Sequence, residues 1–266
     1  MRRLRSLRKY YVIARVSFAN SITYRAPLFT RFAFYTMFIY IFMGLWRAIY
    51  HEGGVNGYTY VQMVWYLIMT EYIGFACGTG VFGAMNSEVK SGSIAYQLGR
   101  PTHYVFYQFA NSVGQIVINA VLFGALAAVL GLLFVGPLPN FRIAALPPLA
   151  LSVALSFVQN YFFLMLLSLS SFVMEDNTAL YLIYQKLNFM LGMFLPVEFL
   201  PEAIQLVARN LPFSYTYWAP AKLFVNYSPE LFWQLIPRQA VWATAAVTLT
   251  LLTYHLCIRR LQINGG

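Results

Sequence analysis

His103-Tyr-Val-Phe-Tyr-Gln-Phe-Ala-Asn-Ser-Val-Gly-Gln-Ile-Val-Ile-Asn-Ala-Val-Leu-Phe-Gly-Ala-Leu-Ala-Ala-Val-Leu-Gly-Leu-Leu-Phe-Val135 carries no Asp, Glu, Lys or Arg along its whole length. A helix needs about 20 apolar residues to cross a hydrocarbon core about 30 Å thick, and this stretch exceeds that. Similar stretches recur on either side, at about 27–49, 58–85, 143–174, 178–195 and 231–257. In lipid every backbone polar group must be satisfied internally, so spans are helices or a closed barrel. The stretches lack the alternating ten-residue pattern of a barrel. The sequence therefore reads as an all-α integral membrane fold, six transmembrane helices forming one domain over residues 1–266.

Composition excludes an ordinary soluble domain: 60% of residues are hydrophobic and 10% charged, where soluble domains carry about 25% charged residues. The net charge of +10 is placed for a membrane rather than for nucleic acid. Arg2, Arg3, Arg5, Arg8, Lys9, Arg15, Arg25 and Arg31 precede or begin the first span, and Arg259 and Arg260 follow the last. Lys and Arg gather on the cytoplasmic flanks of spans. Both termini are thus expected in the cytoplasm, and the chain in the cytoplasmic (inner) membrane, in contact with its lipids. Cys77 and Cys257 fall inside spans and imply no disulfide framework. Tyr10 to Arg25 mixes Arg, Asn, Ser and Thr among apolar residues, a poor signal-peptide core.

Residues 1–25 read as an amphipathic interfacial helix. Leu4, Leu7, Tyr11, Ala14, Phe18 and Ile22 share one face, with Arg2, Arg5 and Lys9 turned away. Its role is either a positive-inside anchor or energy coupling. Residues 196–230 are punctuated by Pro196, Pro201, Pro212, Pro220 and Pro229. Leu200, Ile204, Val207 and Leu211 form one face there, and Glu202, Gln205 and Arg209 the other. A helix of about ten residues covers only about 15 Å, so this segment is expected to lie at the outer interface or to enter and return. Phe213, Tyr215, Tyr217 and Trp218 supply an aromatic belt. Gly78-Thr-Gly80-Val-Phe-Gly83 matches a dinucleotide fingerprint in letters only, because it lies inside a lipid-length helix. With Gly74 it suits close helix packing instead.

The apolar rhythm breaks once, at Asn86-Ser-Glu-Val-Lys-Ser-Gly-Ser-Ile-Ala-Tyr-Gln-Leu-Gly-Arg-Pro101. Asn86 or Ser87 is expected to cap a short helix that Gly92 ends, and Ser93 to start another that Gly99 and Pro101 stop. Exposed Val89, Ile94, Tyr96 and Leu98 would suit a groove on a partner; a structured loop between helices is the other reading.

Val89-x-x-Gly92-x-Ile94-x-x-x-Leu98-x-Arg100-Pro101, placed after the second span, resembles the coupling-helix region of ABC-2 type exporter permeases. The basic N-terminal helix, the six spans and the broken segment before the last span are similar to that family over essentially the whole chain. Gly99 departs from the bulky apolar residue many relatives place there. The resemblance implies a type V exporter half. In it, the N-terminal elbow helix and a cytoplasmic coupling helix within 86–101 rest on a P-loop ATPase subunit. Asn86, Ser87, Glu88, Val89, Lys90, Gly92, Ile94, Tyr96, Leu98, Arg100 and Pro101 would make that contact, with Glu175 and Asp176 at a second, smaller one. A second permease half, identical or paralogous, would face the first. No G-x-x-x-x-G-K-[ST] loop is present, so the chain is expected to be no enzyme and to bind no cofactor, ATP and Mg belonging to the partner.

Asn111, Gln115 and Asn119 share one face of the third span, and Tyr181, Tyr184, Gln185 and Asn188 cluster in the fifth. Such residues line a path or make interhelical hydrogen bonds worth about 0.6 kcal/mol each. Packing is preferred for the third span, and both readings stand for the fifth. Glu71 and Lys186 lie furthest inside spans and are functional candidates on that ground; they pair, or Lys186 snorkels to the surface. The candidate path is Glu71, Tyr181, Tyr184, Gln185 and Asn188, and the candidate outer gate is Pro196, Glu198, Pro201 and Pro212. His51, His103 and His255 sit near different membrane edges, so no metal site is expected. The reading is the permease subunit of an ATP-driven exporter. A secondary transporter driven by an ion gradient through Glu71 and Lys186, or a non-catalytic membrane scaffold, are the alternatives. Ile94→Asp is expected to uncouple transport while leaving the protein folded.

Overall fold

The computed structural model describes residues 2–23, 26–50, 57–78, 80–174 and 176–264, with side chains over 8–21 and, within those bounds, 28–259. Its elements are α1 (Arg2–Thr23), α2 (Ala26–Ile49), α3 (Tyr60–Ala76), α4 (Val81–Lys90), α5 (Ile94–Leu98), α6 (Tyr104–Phe134), α7 (Leu146–Leu169), α8 (Thr178–Asn188), α9 (Glu202–Ala208), α10 (Pro212–Val225) and α11 (Pro229–Asn264). Among the described residues there is no strand, and five stretches are long and apolar enough to cross a membrane: 28–49, 60–90, 104–134, 143–172 and 229–259. The expected fifth span forms only the eleven residues of α8 and a five-residue π turn, Phe189–Met193. That is about 24 Å of helix, short of the full hydrocarbon core.

The second span differs from the continuous helix expected over 58–85. A capping box at Thr59 and Gln62 starts α3, which closes at Cys77, and α4 opens after Gly80. Carbonyls at a helix C-terminus lack intrahelical partners and attract cations. Arg31 of α2 meets that need, donating from Nη2 to the Phe75 carbonyl while its guanidinium lies 5.0 Å from the Phe123 ring. Close packing holds at Gly74, where a β-carbon would come within 2.7 Å of Met193 Cε, but Gly80 and Gly83 face open space.

Helix α1 lies along α6. Tyr11 and Phe18 point outward with Val12 and Val16, while Ser17 is buried. The side chains of Leu4, Leu7 and Ile22, and of Arg2 and Arg5 opposite, lie outside the described ones. Small residues make the contact: Ser17 Oγ donates to the Asn111 carbonyl at 2.6 Å. A β-carbon on Gly114 would overlap the Ala14 carbonyl and come within 2.6 Å of the Phe18 amide nitrogen. Gly114→Leu is therefore expected to push α1 off α6 at a cost of about 3 kcal/mol, read as a lower melting temperature in detergent. Gly114→Ala should shift it in the same direction by a smaller amount.

The broken segment packs into the bundle. Ser214, at the start of α10, donates to the carbonyls of Ala208 and Leu191 and so holds the end of α9 and the π turn against it. Helix α10 then runs between α3, α7, α11 and the π turn, ending where Asn226 accepts from Gln62 Nε2 at 2.8 Å. Pro212 occupies its first turn, where a missing N–H leaves no bond unmade. The expected apolar face of α9 turns outward at Ile204 and Val207. Polar side chains join α7, α10 and α11: Gln239 donates to the carbonyls of Ser152 and Tyr215 and to Ser156 Oγ, and accepts from Ser152 Oγ. At about 0.6 kcal/mol per such bond, Gln239→Leu is expected to cost about 2 kcal/mol, checked by thermal unfolding in detergent.

Candidate docking platform and translocation cavity

One end of the bundle gathers α1, the 86–101 element, the α7–α8 turn and the end of α11. Lys9 Nζ donates to the Pro101 carbonyl at 2.9 Å, and the His103 amide donates to Tyr10 Oη at 3.3 Å. His103 and Tyr104 meet the Tyr254 ring. Asn86 and Asn177 exchange hydrogen bonds of 2.6 and 3.3 Å, and Asn177 Nδ2 also reaches the Leu167 carbonyl and Ser170 Oγ. This pair ties the two turns together. Asn177→Leu is expected to remove all of these bonds and lower thermal stability, with Asn177→Asp recovering part of the loss.

The first half of the 86–101 element corrects the expected capping. Residues 86–90 continue α4 from the second span, so neither Asn86 nor Ser87 starts a helix. Gly92, at φ +71°, ends the turn, and α5 follows Ser93 and stops at Gly99, as expected. Ile94 is not exposed: it is 6% accessible and clusters with Val81, Met85, Tyr104 and Val105. Val89 and Leu98 are half-buried. Glu88 turns inward, accepting from Tyr104 Oη at 2.7 Å and Gln108 Nε2 at 3.3 Å. Ser87, Lys90, Gly92 and Pro101 are exposed, and Tyr96, 73% accessible, has the Arg100 guanidinium 5.0 Å from its ring centre.

A groove of about 630 Å³ separates this element from the α7–α8 turn, lined by Val89, Lys90, Phe172, Val173, Met174 and Asp176. Val173 is 70% exposed. Asp176 accepts from the Thr178 hydroxyl and amide, and these bonds hold its carboxyl below the usual carboxylate range, Lys90 adding to the effect. Glu175 lies outside the described residues.

Deeper in the bundle, a cavity of about 370 Å³ is walled by Arg31, Gly74, Asn160, Tyr181, Tyr184, Gln185, Asn188 and Tyr217, among others. Four of the five expected path residues meet there. Tyr184 donates to Asn160 Oδ1 at 2.9 Å, Gln185 Nε2 to Tyr181 Oη at 2.6 Å and Asn188 Nδ2 to the Tyr184 carbonyl at 3.0 Å. Asn188 Oδ1 is buried without a partner, on the last residue before the π turn, a feature common at functional sites. Arg31, Asn160 and Tyr217 escape a reading of the fifth span because they come from other helices. Glu71 does not line the cavity: it is 2% exposed, with Oε1 unpartnered. Lys186 is exposed on the cavity wall, and no ion pair joins the two.

At the opposite end, Glu198 gathers three elements. It pairs with Lys222 of α10 and accepts from Trp218 Nε1 at 3.1 Å and Tyr58 Oη at 3.4 Å. Pro196 and Pro201 precede short helices, and Pro212 begins α10. Among the described residues no group of His, Cys, Asp or Glu is placed to hold a metal; His51 lies outside them.

Residues 34–265 match the family described as ABC-2 family transporter protein. The chain belongs to the ABC-2 transporter family. The match takes in α3 to α11 and most of α2, so this ABC-2 chain is a multi-pass membrane protein of the transporter type. No curated protein matches it significantly.

Proposed function

We propose that this chain is the permease subunit of an ATP-driven exporter, coupled to a separate P-loop ATPase that holds ATP and Mg. The observation that carries the reading is the Asn86–Asn177 pair, which locks two turns around the Val173 groove and joins them to the second span. A partner pressing on α5 and this groove moves α4 directly, because residues 86–90 are part of that helix. Arg31 connects the end of α3 to α2 and to the cavity.

In this mechanism the platform end is cytoplasmic and both termini lie there, in the inner membrane. The six spans are α2, α3 with α4, α6, α7, α8 with its π turn, and α11. A second half, identical or paralogous, covers the exposed apolar residues of α2 and α8, such as Phe29, Leu182 and Ile183, and closes the path against Tyr181, Gln185 and Asn188. The re-entrant α9 and α10, pinned by Glu198, form the outer gate. A gradient-driven reading draws support from the unpartnered Glu71 oxygen but has no paired Lys186 to use.

The test is the ATP turnover of the partner ATPase in proteoliposomes, with and without this chain. Turnover that depends on the chain is expected; turnover indifferent to it would remove the coupling.

A further inference from the structure

A second cavity, of about 300 Å³, lies between α1, α2 and α6. It holds Asn111, Gln115 and Asn119, the polar face of the third span. They do not make the interhelical hydrogen bonds that packing would require: none of their side-chain amides bonds to another described residue. Asn119 is only 6% exposed. Its amide opens on the cavity it lines, where a ligand or water can bond it. Arg31 also lines the cavity, and among the described residues no acidic one does. One of its nitrogens serves the Phe75 carbonyl; a guanidinium carries five N–H donors, so others remain.

We propose that this cavity binds the phosphate of a group with net negative charge, Arg31 supplying the countercharge and the amides of Asn111, Gln115 and Asn119 donating hydrogen bonds. Basic pockets between membrane helices suit anionic headgroups. The neighbouring surfaces favour a lipid as the source. Phe29 beside the cavity residue Leu28, and Val16 and Phe18 beside Ser17, are exposed apolar side chains that would receive acyl chains. Arg31 also borders the deeper cavity, so an occupant here sits next to the proposed path. The assignment does not depend on an ATPase partner, because its test reads binding and not transport.

The protein is purified from vesicles of phosphatidylglycerol and phosphatidylcholine, and retained lipid is measured by native mass spectrometry. Preferential retention of phosphatidylglycerol is expected, weakened about a hundredfold in Asn111→Leu/Asn119→Leu through the loss of two charge-assisted bonds. Asn119→Asp keeps the side-chain shape and sets a carboxylate against the phosphate, so it reads the site even where the double variant fails to fold. In a second arm, inorganic phosphate is titrated against delipidated protein. A melting-temperature rise lost in Asn119→Asp, without lipid retention, would identify a soluble phosphate as the source and still support the site. Equal retention of both lipids, or equal phosphatidylglycerol retention in wild type and Asn119→Asp, with no response to phosphate, would overturn it.

Discussion

Replacing Ile94 by aspartate is expected to unfold the platform end rather than uncouple an intact protein. The side chain is packed in a cluster with Val81, Met85, Tyr104 and Val105, and a carboxylate there has no partner of opposite charge among those neighbours. Losing the apolar contact and burying a charge together cost about 4 kcal/mol. For a chain of this size that corresponds to a drop of about 10 °C in melting temperature. Measurement in detergent by scanning calorimetry or tryptophan fluorescence checks it. A melting temperature close to that of wild type would show that Ile94 is accessible, as the sequence alone suggests. Ile94→Val, which keeps the apolar contact, is expected to cost about 1 kcal/mol.

The double variant Tyr96→Asp/Val173→Asp should behave in the opposite way. Both side chains project from the platform surface, so their replacement leaves the core untouched and the melting temperature near wild type. Two apolar contacts at the centre of a docking surface are worth about 2 kcal/mol each, which predicts a loss of partner affinity of about a thousandfold. Co-purification with the ATPase and chain-dependent ATP turnover should disappear together. Retention of both in the double variant would place the docking surface elsewhere. Neither residue lines the proposed translocation cavity, so a loss cannot be assigned to the proposed path.

The long apolar helices and the broken segment are legible in the sequence because length and proline spacing are properties of the sequence itself. The direction each helix faces is not. In lipid an outward side chain is as apolar as a buried one, so hydropathy does not tell that Tyr11 and Phe18 turn outward while Ser17 packs against α6. The same ambiguity hides Ile94. Its place in a polar insert suggests exposure, yet the insert folds back on Tyr104 and Val105. The break at Cys77 is hidden inside a continuous apolar run, with only its glycines as a sign.

The candidate site divides similarly. Tyr181, Tyr184, Gln185 and Asn188 are found because helical spacing places them together. Asn160, Tyr217 and Arg31 join them from three other helices, and no local pattern announces such convergence. Asn177 pairs with Asn86 across a separation of 91 residues. Glu71 draws attention as an intramembrane carboxylate, but it lies outside the cavity, and the ion pair among the described residues is Glu198 with Lys222 at the opposite end.

The most direct measurement is a mild-detergent pull-down of this chain from its native membrane, with mass spectrometry of the proteins that accompany it. The account predicts a P-loop ATPase in stoichiometric amount, lost when Tyr96 and Val173 are both replaced by aspartate. Repeated recovery of the intact, folded chain without any ATPase would contradict it.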